Sequence, residues 1–295
     1  MRRAVLSGVT GHLGSELARQ LLSAGIEVHG LTRGLPLPHS SSVDIFFHHV
    51  DGSTQAVINA IDKAQPDIVF HVAGLARRSH QSADVTPFVE ANILLGTQLL
   101  EAARSSQCPH FITAGTYLQQ FDGDRGGSMN LYAATKQAFE VLMEYYSDAF
   151  GISAVRLTLC DIYSERDTRR KLVTDIAAAW DGNTPLTLMN DEASLDLIHV
   201  EDAARAFLQA AELLNNDSIQ PRGVVRYSVS SGTEITALEL ISAFERIGGR
   251  KLTVHRQESP RLSRDMKPWR GTQVPGWAPR ISLEEGIARI IAARH

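Results

Sequence analysis

Residues 3–33 read RAVLSGVTGHLGSELARQLLSAGIEVHGLTR, and the order of elements in this stretch decides the fold. "RAVLSG" predicts a short strand, "HLGSELARQLLSAG" a helix closed by Gly25, and "IEVHGLTR" a second strand. Gly8, Gly11 and Gly14 stand at three-residue intervals between the first strand and the helix. Glycine permits a tight turn and close backbone approach, while a helix N-terminus offers N–H groups and a positive dipole end to a pyrophosphate. A bare glycine trio is common in loops. Set between a strand and a helix, it reads as a dinucleotide turn, with Thr10, His12 and Leu13 completing the loop.

The alternation continues outward. "VDIFFHHVD", "PDIVFHVAG", "PHFITAGTY" and "GISAVRLTLCDIY" predict further strands, with helices from about Val85 to Ser105 and from Tyr132 to Phe150 on either side of the fifth. The expected class is α/β, a Rossmann-type doubly wound parallel sheet with right-handed crossovers. After Tyr163 the texture changes to "SERDTRRKLVTD" and later to "MKPWRGTQVPGWAPR", which predicts a smaller C-terminal substrate-binding lobe. The division expected is 1–163 for the dinucleotide-binding domain, with 195–215 returning to it, and 164–194 plus 216–295 for the lobe.

Composition narrows the function. The chain has 295 residues, 43% hydrophobic, with 29 basic and 33 acidic side chains well mixed and a net charge of -4. That excludes disorder and offers no general field for nucleic acid or an anionic membrane. Cys108 and Cys160 have no metal or CxxC spacing and suit a reducing cytoplasm. The opening apolar run is too short for a secretion signal, and no stretch approaches a membrane span. His48 and His49 are adjacent on a predicted strand and face opposite ways, so no metal site is expected.

The end of the second strand discriminates between cofactors. A ribose 2'-hydroxyl is usually held there by Asp or Glu, but the sequence has Thr32-Arg33. A guanidinium with no carboxylate beside it fits a 2'-phosphate, so NADP(H) is expected over NAD(H). Asp51, followed by Gly52, is placed to meet the adenine, and Ala73, Gly74 and Leu75 to pass the nicotinamide ribose.

Tyr132 and Lys136 lie four positions apart at the start of a helix, one above the other on one face. In this order of elements the helix begins beside the carboxyl ends of the strands, where an open α/β sheet binds its ligand. A phenol is a poor acid at neutral pH, but a neighbouring ammonium favours its phenolate. Tyr132 is therefore the expected proton donor to a substrate carbonyl, with Lys136 beside it donating to ribose hydroxyls and a hydroxyl from the fifth strand polarising the same oxygen.

Together the glycine turn, "HVAG" after strand four, Asn92 in "EANILLGTQLLEAAR", the Tyr132-x-x-x-Lys136 pair and "LDLIHVEDAARAF" resemble an extended short-chain dehydrogenase/reductase, a group acting largely on nucleotide sugars. "GTYLQQFDG" and "NLYAATKQAFE" are more narrowly similar to bacterial reductases of CDP- or dTDP-4-keto-deoxyhexoses. The resemblance implies that Asn92 belongs to the cofactor site and that a homodimer forms from the helices around Asn92 and Tyr132. It also implies a Ser or Thr as the fourth residue from Phe111, where this chain has Ala114. Thr116, matching the second threonine of the subgroup's pattern, is the expected third catalytic hydroxyl, with Thr113 the alternative.

Of the reactions the resemblance allows, dehydration needs an acidic pair after the catalytic threonine, and Gly115, Thr116 and Tyr117 do not supply it. Epimerases recycle a held NAD, whereas Arg33 points to exchangeable NADPH and net 4-keto reduction. The substrate diphosphate needs a local cation; Arg166 and Lys171 are the expected contacts, with Arg169 and Arg170 beside them and Arg264 and Arg270 further candidates. His199 and Asp202 are expected to orient a strand-to-helix junction. A reductase of a non-nucleotide carbonyl and a non-catalytic NADP(H) sensor are the rival readings.

Overall fold

The computed structural model describes residues 1–34, 44–182, 185–188, 194–216, 218–219, 223–257 and 266–294. In chain order its strands are β1 (Arg3–Ser7), β2 (Glu27–Thr32), β3 (Ile45–His49), β4 (Ile68–His71), β5 (His110–Thr116), β6 (Ser153–Leu159), β7 (Asp161–Tyr163), β8 (Leu186–Leu188), β9 (Ser194–Leu195), β10 (Leu197–His199), β11 (Val224–Val229), β12 (Ile235–Thr236) and β13 (Val254–Arg256). The helices are α1 (His12–Ser23), α2 (Thr54–Ala64), α3 (Val85–Val89), α4 (Leu95–Ser105), α5 (Leu131–Phe150), α6 (Leu172–Gly182), α7 (Val200–Asn215), α8 (Ala237–Gly248) and α9 (Leu283–Ala292).

Among the described residues, one seven-stranded sheet runs in the order β11-β6-β5-β4-β1-β2-β3 with every pairing parallel. The strand order reverses between β1 and β4, which opens a crevice at their carboxyl ends. β4 is central and covered on both faces, so all of IVFH is buried. β3 is an edge, and its Phe46 is 55% exposed. Leu17 and Leu21 of α1 and Phe207 of α7 share one core with Leu6, Phe70 and Val155. The opposite face packs Val57 and Ile61 of α2, Leu99 of α4 and Phe139 of α5 against Val5, Val69 and Phe111. A third core, built from Ile176, Leu240, Phe244 and Ile287, belongs to the smaller lobe.

Two boundaries differ from the expectation. β11 lies within the range assigned to the lobe but pairs with β6 as the edge of the main sheet. It carries Arg226, whose charge is met by Glu140 and Glu144 of α5, a tertiary partnership invisible along the chain. Conversely α7 returns to the main domain beside α1, whereas β10, among the described residues, pairs with β7 in a two-stranded sheet.

The helix expected from Val85 to Ser105 is interrupted by a π-helical segment at Glu90–Leu94. The extra residue per turn rotates Asn92 inward, where it is fully buried.

Candidate active site

The glycine turn builds the first wall. Gly8 has φ +75°, and a Cβ there would stand 2.7 Å from Ala73 N, so the ends of β1 and β4 approach as only glycine allows. A Cβ on Gly14 would overlap the Gly8 carbonyl oxygen. Gly11 caps α1 without a side-chain hydrogen bond, and no acidic residue lies in its first turn. The first N–H groups of α1 are therefore left for a ligand, and this cradle suits the pyrophosphate of a dinucleotide. Thr10 and Gly11 are exposed there, and Leu13 points into the core.

The second wall is the loop after β4. Asn92 Oδ1 accepts from Leu75 N at 2.8 Å, and its Nδ2 donates to Leu75 O at 3.0 Å and Thr135 Oγ1 at 3.0 Å. Expected at the cofactor itself, Asn92 instead spends its amide on holding the Ala73–Leu75 loop and tying it to α5. A Cβ on Gly74 would lie 3.0 Å from Asn92 Oδ1 and 3.1 Å from Lys136 Nζ, so the lysine amine is directed at this loop. Arg33 is exposed at the end of β2. Asp51 is exposed and accepts from Ser53 N at 2.9 Å, while Gly52 O accepts from Gln98 Nε2 at 2.8 Å.

Asn130 accepts from Ala133 N at 2.9 Å, capping α5 two residues before Tyr132. That start places the phenol at the carboxyl end of β5, close enough to the Thr116 side chain for that hydroxyl to favour its ionised form. Burial pushes the Tyr132 phenol up to about 12; Thr116 and Arg169 pull it down, and Asp161 pushes it further up. The Lys136 ammonium, expected to be the group easing ionisation, is turned to Gly74, and burial lowers its own pKa to about 8. Thr113 Oγ1 donates to His71 O at 3.1 Å, a bond within the sheet, so Thr116 and not Thr113 reaches the phenol.

Thr116 is itself held from behind. Its N–H donates to Gln119 Oε1 at 3.0 Å, Gln119 Nε2 donates to Glu140 Oε2 at 3.2 Å, and Glu140 pairs with buried Arg156. Position 114, the family's hydroxyl position, faces the α1–α7 core as Ala114.

The third wall is the segment after β7. Lys171 Nζ donates to Asp161 Oδ1 at 3.2 Å, and Tyr117 OH donates to Asp161 Oδ2 at 3.3 Å. Arg169 is clamped by Asp167, at 2.8 and 2.7 Å, and donates to Ile162 O at 3.1 Å. Asp167 also lies 3.7 Å from His12 Nε2. Burial, then Arg169, lowers the His12 imidazole to about 4, so it is neutral at pH 7. This segment thus spans from the glycine turn to the Tyr132 phenol.

Of the two expected substrate cations, Lys171 is brought into this cluster. Arg166 is not: its side chain is 81% exposed, with Glu165 3.9 Å away, because the turn that buries Asp167 points its neighbour outward. Arg170 is exposed, and Arg270 Nε lies 3.5 Å from Asp196. Arg264 falls outside the described residues. Asp161 was missed, although a carboxylate at the carboxyl end of a central strand is a signal in itself. His199 caps α7 through Glu201 N at 3.3 Å, and Asp202 accepts from Arg280 N and Ile281 N at 3.0 and 2.9 Å, so both hold the junction.

Cys108 and Cys160 are buried, with burial pushing both thiols up, which leaves them inert at neutral pH. Among the described residues no His, Cys, Asp and Glu group could hold a metal ion, and no helix is long and apolar enough to cross a membrane.

Comparison with known proteins agrees with this geometry. The family model of the NAD dependent epimerase/dehydratase family matches residues 4–222. UDP-glucose 4-epimerase of Mycolicibacterium smegmatis is 26% identical over 314 residues, covering 98% of this chain and 97% of that protein. GDP-mannose 4,6-dehydratase of Yersinia enterocolitica is 26% identical over 354 residues, covering 99% and 93%. The crystal structure of Thermus thermophilus UDP-glucose 4-epimerase in complex with NAD superposes with a TM-score of 0.80 at 25% identity, over 99% of this chain and 98% of that one.

Proposed function

The chain belongs to the NAD dependent epimerase/dehydratase family, and on that premise we propose that it reduces the 4-keto group of a dTDP- or CDP-linked 4-keto-6-deoxyhexose with NADPH. The observation that carries this reading is a half-buried Tyr132 phenol beside Thr116 at the end of β5, in a fold whose β2 ends on exposed Arg33 with no carboxylate beside it. The turn from Gly8 to Gly14 would hold the cofactor pyrophosphate, Lys136 and the Ala73–Leu75 loop the nicotinamide ribose, and Arg33 the 2'-phosphate. When bound, the nicotinamide supplies the hydride.

This chain's residues handle the proton. Thr116 orients the substrate carbonyl oxygen, and Tyr132 delivers its phenolic proton to that oxygen as the carbon is reduced. Lys171 and Asp161 present a cation and an acceptor to the nucleotide sugar from the far side. Thr116 is followed by Tyr117 and Leu118, with no acidic pair to drive water loss, which disfavours dehydration. Two buried thiols and a demand for NADPH agree with a cytoplasmic setting.

Epimerisation is the second reading. It is favoured by similarity to UDP-glucose 4-epimerases, one of them solved with NAD. A panel of CDP-, dTDP- and UDP-4-keto-6-deoxyhexoses with NADPH separates the two. Stoichiometric loss of 340 nm absorbance is expected; interconversion of UDP-hexoses without added cofactor would replace the reductase reading.

Arg33→Ala is expected to raise KM for NADPH by about 10- to 100-fold, the loss of one charge-assisted contact, and to leave KM for NADH within about twofold. Equal effects on both cofactors would remove Arg33 from the site.

The same proposal includes a homodimer. Val85, Val89 and Leu94 on the α3–α4 run, and Val141, Tyr145 and Phe150 on α5, are exposed, Tyr145 by 58%. Such apolar side chains on neighbouring helices suit a helix-to-helix interface. Tyr145→Arg should convert a dimer to a monomer in light scattering; a wild-type monomer would exclude it.

A further inference from the structure

Behind β5 and β6, on the α5 face of the sheet, the structure holds a cavity of about 460 Å³ that the proposed reaction does not use. Its lining includes Gln120, Arg156, Arg226, Trp269, Arg270 and Thr272. The three guanidiniums converge from separate elements. Arg156 on β6 and Arg226 on β11 are partners in register, and Arg270 belongs to the segment that bridges β11 through Gln273 and Ser228.

Among the described residues no carboxylate lines this cavity. The balancing acids lie behind the arginines, Glu140 bridging Arg156 and Arg226, and Glu144 taking Arg226 as well. Asp196 meets Arg270 while accepting from Ser230 Oγ at 2.6 Å and Ser231 N at 2.8 Å. The acids therefore fix the guanidiniums and leave the wall one of hydrogen-bond donors and positive charge.

A second observation is independent of the charges. Strand alternation puts Arg156 with Thr158, and Arg226 with Ser228, on one face of the sheet. Arg156 Nε, Thr158 Oγ1 and Ser228 Oγ are all buried and find no hydrogen-bond partner among the described residues. Arg156 is 2% exposed, so its unpaired N–H is costly unless a ligand accepts from it. Trp269 adds a flat apolar surface: its indole lies against Gly271, where a Cβ would overlap the ring.

We infer that this cavity is a second nucleotide site, binding the diphosphate of a nucleoside diphosphate on Arg156, Arg226 and Arg270 with the base laid on Trp269. The volume lies within the range of small-molecule sites, and forked guanidiniums match phosphate oxygens. Stacking on the indole distinguishes a nucleotide from free phosphate.

The test is titration calorimetry of UDP and of inorganic pyrophosphate into the full chain saturated with NADPH. A UDP-binding event separate from that of the catalytic cleft is expected, whose affinity falls at least tenfold in Arg226→Gln and in Trp269→Ala. Trp269→Phe and Lys171→Met should keep it. Pyrophosphate should bind that site at least tenfold more weakly than UDP. A cooperative melt is the folding control for each variant, and Arg226→Lys, which keeps charge without the fork, replaces Arg226→Gln if the latter does not fold. UDP binding unchanged by both the arginine and the tryptophan substitution overturns the site. Loss of this event in Lys171→Met assigns the binding to the catalytic cleft instead, and pyrophosphate binding as tightly as UDP overturns the nucleoside assignment. Failure of the keto-sugar panel would leave this result standing, since no catalytic step enters it.

Discussion

Tyr132→Phe should lower kcat by about 10²- to 10⁴-fold and change the affinity for NADPH by less than about threefold. The phenol is the only proton the proposed mechanism gives to the substrate oxygen, and the ring without its hydroxyl still fills the same place on α5. Because burial raises its pKa to about 12, Tyr132 stays protonated through neutral pH and is poised as an acid. Wild-type reduction should therefore show no titration of this group below about pH 9 in single-turnover measurements. Turnover retained within tenfold in the phenylalanine variant would sink the assignment and return the choice to the sensor reading.

Lys136→Met should move stability and activity in opposite directions. Lys136 is buried, and its ammonium gives up its proton near 8 rather than 10.5. Between those values the unfolded chain holds a proton that the folded chain does not, so this lysine makes wild-type stability climb with pH through that window. Below about pH 8 the whole penalty is present, an upper bound of roughly 3 kcal/mol. Methionine, of similar length and without charge, should raise the unfolding free energy by about 1–3 kcal/mol at pH 7, and the advantage should fade above pH 10.5. NADPH binding should weaken at the same time, because the amine beside Gly74 is gone. Chemical denaturation at pH 7 and 10.5 checks the sign. A variant less stable than wild type at pH 7, or equally stabilised at both values, would show that the buried amine is satisfied in the fold.

The residues that persist along the chain at short spacing were readable in advance. Gly8, Gly11 and Gly14 follow a strand and open a helix, so the turn and its chemistry are local. Tyr132 and Lys136 are a helical turn apart, and Thr116 ends a strand. What escaped was set across the sheet. β11 carries Arg226, whose counter-charge comes from Glu140, 86 residues away. Asn92 was assigned to the cofactor, but the π segment turned it inward to brace the Ala73–Leu75 loop.

The electrostatic partnerships changed most. Lys136 was expected to ease ionisation of Tyr132, since the two share a helix face. The packed structure gives that part to Thr116 and Arg169, and points the lysine at Gly74. Helical spacing brings two Cβ atoms together, but a long side chain ends where the neighbouring loop leaves room for it.

The order of strands and helices, the glycine turn and the placing of Tyr132 and Lys136 at the start of one helix were thus determined by the sequence alone, because each depends on backbone conformation and side-chain periodicity within a few turns of chain. Which cation faces which acid, that Lys171 meets Asp161 while Arg166 turns outward, and that three arginines meet at the sheet edge were decided only by tertiary structure. Charges act through space over a few ångströms, and folding alone sets which distant residues come that near.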